Sequence, residues 1–388
     1  MALFIGVMSG TSLDGVDAVL AELSEPLSQP VSGSARSGSS GALCPARGLA
    51  FTHLPFSAPL HTELLALNRQ GADELHRAAE AANAVAALYA EAAQQVMQMA
   101  GVEAAQVVAL GAHGQTVRHR PQAFSAGGYT VQLLNGALLA ELSGIDVICD
   151  LRSRDVAAGG QGAPLVPAFH AACFAHRDAD VAVLNLGGMA NLTLLPAQGE
   201  VRGFDCGPAN VLMDLWCRRK TGQPFDADGA WGATGRVDAQ LLAAALQEPF
   251  FTLPPPKSTG RDLFDADWLD GLLAGAGALR EQDVMATLVE LTARAACDAL
   301  RLHAPTVSRL LVCGGGAYNR HLMGRLAALL GSAVSVASTD SSGIEPERVE
   351  CLAFAWLAHR FVSRKAGNLP SVTGARGPRV LGALYPAC

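Results

Sequence analysis

The chain has 388 residues, half of them hydrophobic and 16% charged. That is too long for one ordinary core, and too apolar and too weakly charged for a disordered protein. A formal net charge of −7 offers no basic footprint for nucleic acid or an acidic membrane, so neither is expected as a partner.

No uncharged stretch is long enough to cross a bilayer. The first six residues carry no basic leader and run straight into a predicted core strand, so a soluble, cytoplasmic protein is expected. The nine cysteines (Cys44, Cys149, Cys173, Cys206, Cys217, Cys297, Cys313, Cys351 and Cys388) contain no CxxC pair and mostly sit in apolar runs. Reduced, buried thiols are the expectation.

Residues 4–7 are predicted as a short strand. The turn Met8-Ser9-Gly10-Thr11-Ser12-Leu13-Asp14-Gly15 leads back into a second strand over 16–23, a hairpin pattern. The Ser-, Gly- and Pro-rich run 24–48 reads as a flexible surface insertion. There follow a helix over 71–100 and a strand over 107–111 ending in Ala112-His113-Gly114-Gln115-Thr116. A helix over 136–142, a strand over 146–150 and a helix near 166–174 end the first half.

The second half restarts with a strand over 181–186, the turn Gly187-Gly188-Met189-Ala190-Asn191 and a strand over 192–195. A helix over 284–300 leads to a strand over 310–313, broken at Gly314-Gly315-Gly316 and followed by a helix over 319–330. A diverged duplication explains the pattern, with α/β domains over 1–178 and 179–388 and a cleft between them. A single sheet with insertions is the alternative.

Several turns can carry chemistry. Gly10, Thr11 and Ser12 can bring backbone N–H groups to a phosphate, with Asp14 and Asp17 adding carboxylates; an ordinary hairpin would look the same. Gly314, Gly315 and Gly316 join a buried strand to a helix N-terminus, a place for a nucleotide, but no Walker lysine follows. Asp205, in Gly203-Phe204-Asp205-Cys206-Gly207-Pro208-Ala209-Asn210, reads as lying between a strand and a helix over 211–216. It is either a catalytic group at a strand end or a helix N-cap.

Arg152, Arg154 and Asp155 precede Gly159-Gly160-Gln161-Gly162. This loop can bind a carboxylate-bearing sugar or simply hold an internal ion pair. His113 and Gln115 can meet sugar hydroxyls or be structural. Glu350 opens a helix and either decorates its dipole or points into the cleft. No HExxH, Cys/His cluster or GxSxG is present, which leaves zinc and serine-hydrolase chemistry without support.

Taken in order, these segments resemble the anhydro-N-acetylmuramic acid kinase family. The resemblance spans Gly6-Val7-Met8-Ser9-Gly10-Thr11-Ser12-Leu13-Asp14-Gly15-Val16-Asp17, the His113 turn and the run 154–167. It continues through Asn185-Leu186-Gly187-Gly188, the Asp205 segment, Lys257-Ser258-Thr259-Gly260-Arg261, Val312-Cys313-Gly314-Gly315-Gly316-Ala317 and Thr339-Asp340. Only the serine-rich insertion clearly lies outside it.

The resemblance implies two actin/hexokinase-like (ribonuclease H-like) α/β domains, ATP with Mg2+, and a homodimer. It implies hydrolysis of a 1,6-anhydro bond coupled to phosphorylation of O6. Asp205 would be the base that activates water, and His113, Gln115, Arg154 and Glu350 would hold the sugar. Gly10 to Asp17 (with Leu13, Gly15 and Val16), Gly187, Gly188 and Gly314 to Gly316 would meet ATP. The wider superfold usually has an aspartate ahead of the first glycines, where this chain has Val7-Met8-Ser9, so the metal ligands stay open. An ordinary hexose or amino-sugar kinase of the same fold is the alternative, and an ATP-driven scaffold is a more distant one.

Overall fold

The computed structural model describes residues 1–10, 13–24, 44–121, 127–260 and 263–387. Thr11, Ser12 and most of the expected insertion fall outside them. The strands run β1 (Ala2–Met8), β2 (Gly15–Leu23), β3 (Ala46–Pro55), β4 (Val107–Ala112), β5 (Gln115–Arg120), β6 (Tyr129–Leu133) and β7 (Val147–Cys149). After them come β8 (Val181–Leu186), β9 (Met189–Leu195), β10 (Arg202–Pro208), β11 (Arg309–Cys313), β12 (Ser335–Ser338) and β13 (Ala383–Tyr385).

They build two α/β units, one from 1–173 with 348–388, the other from 174–347. In the first, the sheet order is β13-β7-β4-β1-β2-β3; in the second it is β10-β9-β8-β11-β12. Without β13, each sheet reads 3-2-1-4-5 in its own strand order. Strands 1 to 3 pair antiparallel and 1, 4 and 5 parallel. The turns after the first and fourth strands therefore hold corresponding places in the two sheets.

The cores explain why these segments fold. Phe4, Ile5 and Val7 of β1 and Val16, Ala18, Val19, Leu20 and Ala21 of β2 are buried, near-continuous apolar runs of the kind a covered sheet needs. Helix Glu74–Ala100 lays Val85, Tyr89, Ala92 and Val96 into the same core. In the second unit, helix Glu281–His303 buries Val284, Leu288, Val289 and Ala293 with Leu184, Leu186 and Leu192 of the sheet.

The structure departs from expectation in four places. Residues 348–388, expected with the second half, pack on the first unit. The reason is close backbone approach. Gly6 and Gly111 are partners across β1 and β4. A Cβ on either would sit 1.9 Å from the Cys351 carbonyl oxygen or 2.2 Å from that of Phe354, so helix Val349–Val362 lies directly on the two strands. Second, the expected insertion ends early, because Ala46 to Gly48 already belong to β3.

Third, Asp205 lies inside β10 rather than after a strand, and Ala209 is the N-cap of helix Asn210–Thr221. Gly and Pro made this stretch read as a break. β10 is an edge strand with a register shift between Asp205 and Gly207, where both residues are tolerated. Fourth, Cys44 and Cys173 form a disulfide across 129 positions, where free thiols were expected. A pairing that distant depends on where β3 and helix Val166–Phe174 come to rest. The cysteines at 149, 206, 217, 297, 313 and 351 are buried and lie outside the disulfide. Among the described residues no helix is long and apolar enough to cross a membrane.

Candidate active site

In the second unit, Asp205 is held from three sides. Its Oδ1 accepts from Asn191 Nδ2 at 2.8 Å, its Oδ2 accepts from the Thr259 N–H at 2.9 Å, and its own N–H donates to the Lys257 carbonyl at 3.1 Å. Burial raises the carboxyl above its usual range, while the two donors and the Lys257 charge pull it back. The side chain still keeps partial exposure. A carboxylate in this setting is poised to take a proton.

Lys257 itself donates through Nζ to the carbonyls of Phe250 and Phe251, both at 3.1 Å, and lies 4.7 Å from the Phe250 ring centre. Burial lowers its pKa against the opposing pull of Cys206 and Asp205. The lysine thus clamps the segment that carries Thr259.

Two glycine turns of the same unit come together beside the start of helix Asn210–Thr221. The Gly188 carbonyl accepts from the N–H groups of Ala209 and Val211, and the Gly187 carbonyl from that of Asn210, at 3.0 to 3.1 Å. Asn210 Nδ2 donates to the Leu186 carbonyl at 3.0 Å and is the nearest atom, at 3.8 Å, to a Cβ placed on Gly315. A Cβ on Gly187 would find only the Met189 carbonyl oxygen, 4.0 Å away. Gly315 and Gly187 therefore leave open backbone of the kind a nucleotide needs.

Gly314, at φ 78°, has no such room, since a Cβ there would meet Asn185 Oδ1 at 2.5 Å. The turn passes through a 3-10 segment, Gly315–Tyr318, before helix Arg320–Leu330 begins. Asn319 caps that helix by accepting from the Leu322 N–H at 2.9 Å. The glycines thus precede the helix by one turn.

In the first unit, the carbonyl of Gly10 accepts from the Leu13 N–H at 3.3 Å and from Gln115 Nε2 at 3.2 Å. Gln115 is 1% exposed, and its Oε1 has no hydrogen-bond partner among the described residues. Such an orphaned acceptor suits a donor hydroxyl from a ligand. Ser9 Oγ bonds Tyr89 Oη at 2.8 Å, and the Ser9 carbonyl accepts from His113 Nδ1 at 3.2 Å. Asp17, a candidate for the phosphate turn, is paired with His53 Nδ1 at 2.8 Å, directly across β2 and β3. Asp14 is exposed, and Leu13, Gly15 and Val16 lead into β2.

Arg152, rather than Arg154, is the arginine beside His113. Burial lowers Arg152 to about 10, against the raising pull of Glu350 and Asp155. Arg154 is exposed. Asp155 is fully buried and accepts from the Gly162 N–H, Asn368 Nδ2 and Thr373 Oγ1 at 2.7 to 2.8 Å, a structural role.

Sequence reasoning passed over Asn191 and Thr259 as partners of Asp205. One signal was readable: the tight turn after β8 places Asn191 opposite Asn185. Among the described residues no group of three or more His, Cys, Asp or Glu side chains could hold a metal. A magnesium ion that arrives on a triphosphate needs only one or two carboxylates.

The family model described as anhydro-N-acetylmuramic acid kinase matches residues 2–387. A protein of that name from Bordetella petrii is 57% identical over 99% of this chain and 96% of its own. Those from Variovorax paradoxus and Nitrosomonas europaea are 54% and 49% identical, over 99% of each chain.

Proposed function

The chain belongs to the anhydro-N-acetylmuramic acid kinase family, and from that premise we propose that it converts 1,6-anhydro-N-acetylmuramic acid and ATP to N-acetylmuramic acid 6-phosphate and ADP. The full-length match carries this reading, and the setting of Asp205 supports it. The place of such a reaction is the recycling of cell-wall sugar.

Asp205 takes a proton from water, and the water oxygen attacks C1 from the face opposite O6. The C1–O6 bond breaks with its electron pair on O6, which then attacks the γ-phosphorus as ADP leaves. C1 inverts. An ordinary inverting glycosidase needs a second carboxyl group to protonate the leaving oxygen. Here the phosphoryl group captures that oxygen, so one aspartate suffices.

The sugar is read as held by Gln115, Arg154 and Glu350, with the Gln115 Oε1 acceptor suited to a hydroxyl; His113, expected to join them, has both ring nitrogens taken up by Ser9 and Arg152 and supports the turn instead. ATP is read against Gly10 to Asp17, Gly187, Gly188 and Gly314 to Gly316. Mg2+, held by Asp14 or Asp17 in this reading, would neutralise phosphate charge when bound. A cytoplasmic homodimer completes the reading.

Turnover in 18O-labelled water tests it. Label at C1 of the phosphorylated product, together with ADP release, is expected. Phosphorylation of open hexoses without label would establish the plain sugar kinase instead. Native mass spectrometry checks the dimer, and loss of turnover on chelation with rescue by Mg2+ checks the metal.

A further inference from the structure

We propose that Asn191 is a positioning residue for the reaction, its amide holding the Asp205 carboxylate in one rotation. The inference rests on Asp205 being the base.

Asn191 stands opposite Asn185 on one side and Asp205 on the other. Directly opposed residues point to the same face, so three polar side chains line up at one level across β8, β9 and β10. Cys313, the last residue of β11, is the next partner in that row, opposite Asn185. Asn185 Oδ1 then lies only 2.5 Å from where a Cβ on Gly314 would sit. Asn185, at the far end of the same row, thus stands against the backbone of the glycine turn.

At the carboxylate end the donors are divided. Asn191 Nδ2 serves Oδ1 and the Thr259 N–H serves Oδ2, one to each oxygen. An ionised carboxylate has about four lone-pair sites, so this pair sets the plane of the group while leaving acceptor positions for a water. The other ionisable groups facing it are Lys257, from the segment behind it, and the Cys206 thiol on its own strand. The Cys206 thiol donates to the Ala190 carbonyl and the Lys257 ammonium to those of Phe250 and Phe251, rather than to the carboxylate. Burial raises the carboxyl, and the Asn191 bond is the first of the interactions opposing that rise. A side chain that served only to fill β9 would leave the ionisation of Asp205 alone.

Steady-state kinetics of Asn191→Ala and Asn191→Asp across pH, beside Asp205→Asn, test this. For Asn191→Ala, kcat should fall about ten- to a hundred-fold, as expected for a lost hydrogen bond to a charged group. KM for sugar and for ATP should stay within about threefold, since a positioning group acts on the transition state. The acid limb of kcat should move to higher pH. Asn191→Asp keeps the shape but sets a second carboxyl beside the first, and should move that limb farther.

Melting temperature checks folding, and if Asn191→Ala does not fold, the isosteric Asn191→Asp decides. Unchanged kcat and acid limb in the folded variants, with Asp205→Asn inactive, would overturn the proposal alone. Turnover retained in Asp205→Asn would overturn the reading of the base, and this proposal with it.

Discussion

The guanidinium of Arg152 donates from Nε and Nη2 to one acceptor, Nε2 of His113, at 3.1 and 2.9 Å. That leaves the ring proton on Nδ1, which donates to the Ser9 carbonyl. Burial first, and the Arg152 charge second, bring the imidazole down to about 3. A neutral histidine therefore braces the residue just before Gly10.

A pH dependence follows from that bond. An unfolded histidine titrates near 6.5, and folded His113 near 3. Between the two the unfolded chain binds a proton that the folded one refuses. The contribution to stability is full above about pH 6.5 and is lost as pH falls toward 3, by up to roughly 1.4 kcal/mol per unit. Urea midpoints measured against pH should fall less steeply for His113→Gln than for the parent. Equal slopes would show that the ring protonates without cost.

Asp205→Asn should lower kcat by roughly 10²–10⁴, the usual range for loss of a general base, while nucleotide binding measured by calorimetry persists. Parent-like turnover would keep the family membership and discard this base.

The adjacent glycines should behave differently. Gly314→Ala forces a side chain into φ 78° and against Asn185 Oδ1 and the Leu186 carbonyl oxygen, so a stability loss of about 1–3 kcal/mol is expected. Gly315→Ala meets nothing nearer than 3.8 Å and should melt like the parent. Its KM for ATP should nevertheless rise about tenfold, a loss of roughly 1.4 kcal/mol in binding. An unchanged ATP KM in Gly315→Ala would place the nucleotide away from this turn.

Asp155→Ala and Arg154→Ala separate structure from binding within one short helix. The first removes a fully buried acceptor from three donors and should destabilise by about 3 kcal/mol. The second changes an exposed side chain and should stay within about 0.5 kcal/mol. Sugar KM should rise for Arg154→Ala alone, if it holds the substrate. A normal KM would shift attention to Arg152.

Local pattern carried much of the fold. The glycine hairpins at Gly10 and Gly187, the strand ends at His113 and Gly314, and the long helices after them are marked by apolar period and by turn residues that act within a few positions. β3 and β10 were missed. β3 begins inside what reads as a polar insertion, and β10 is an edge strand in which a bulge accommodates Gly207 and Pro208.

Asp205 could be singled out from its segment and from the family resemblance, both of which depend on the order of residues. Its partners could not. Asn191 and Thr259 reach it from 14 and 54 positions away, and Arg152 meets His113 across 39. Helix Val349–Val362 lies on the first unit where Gly6 and Gly111 are opposed and lack side chains, and β13 adds to its sheet beside β7. Amphipathic period and turn chemistry are properties of neighbouring residues, so the chain states them directly. Which carboxylate is held, which arginine is buried and which thiols meet are decided by strand register and helix docking, and those exist only once the sheets have formed.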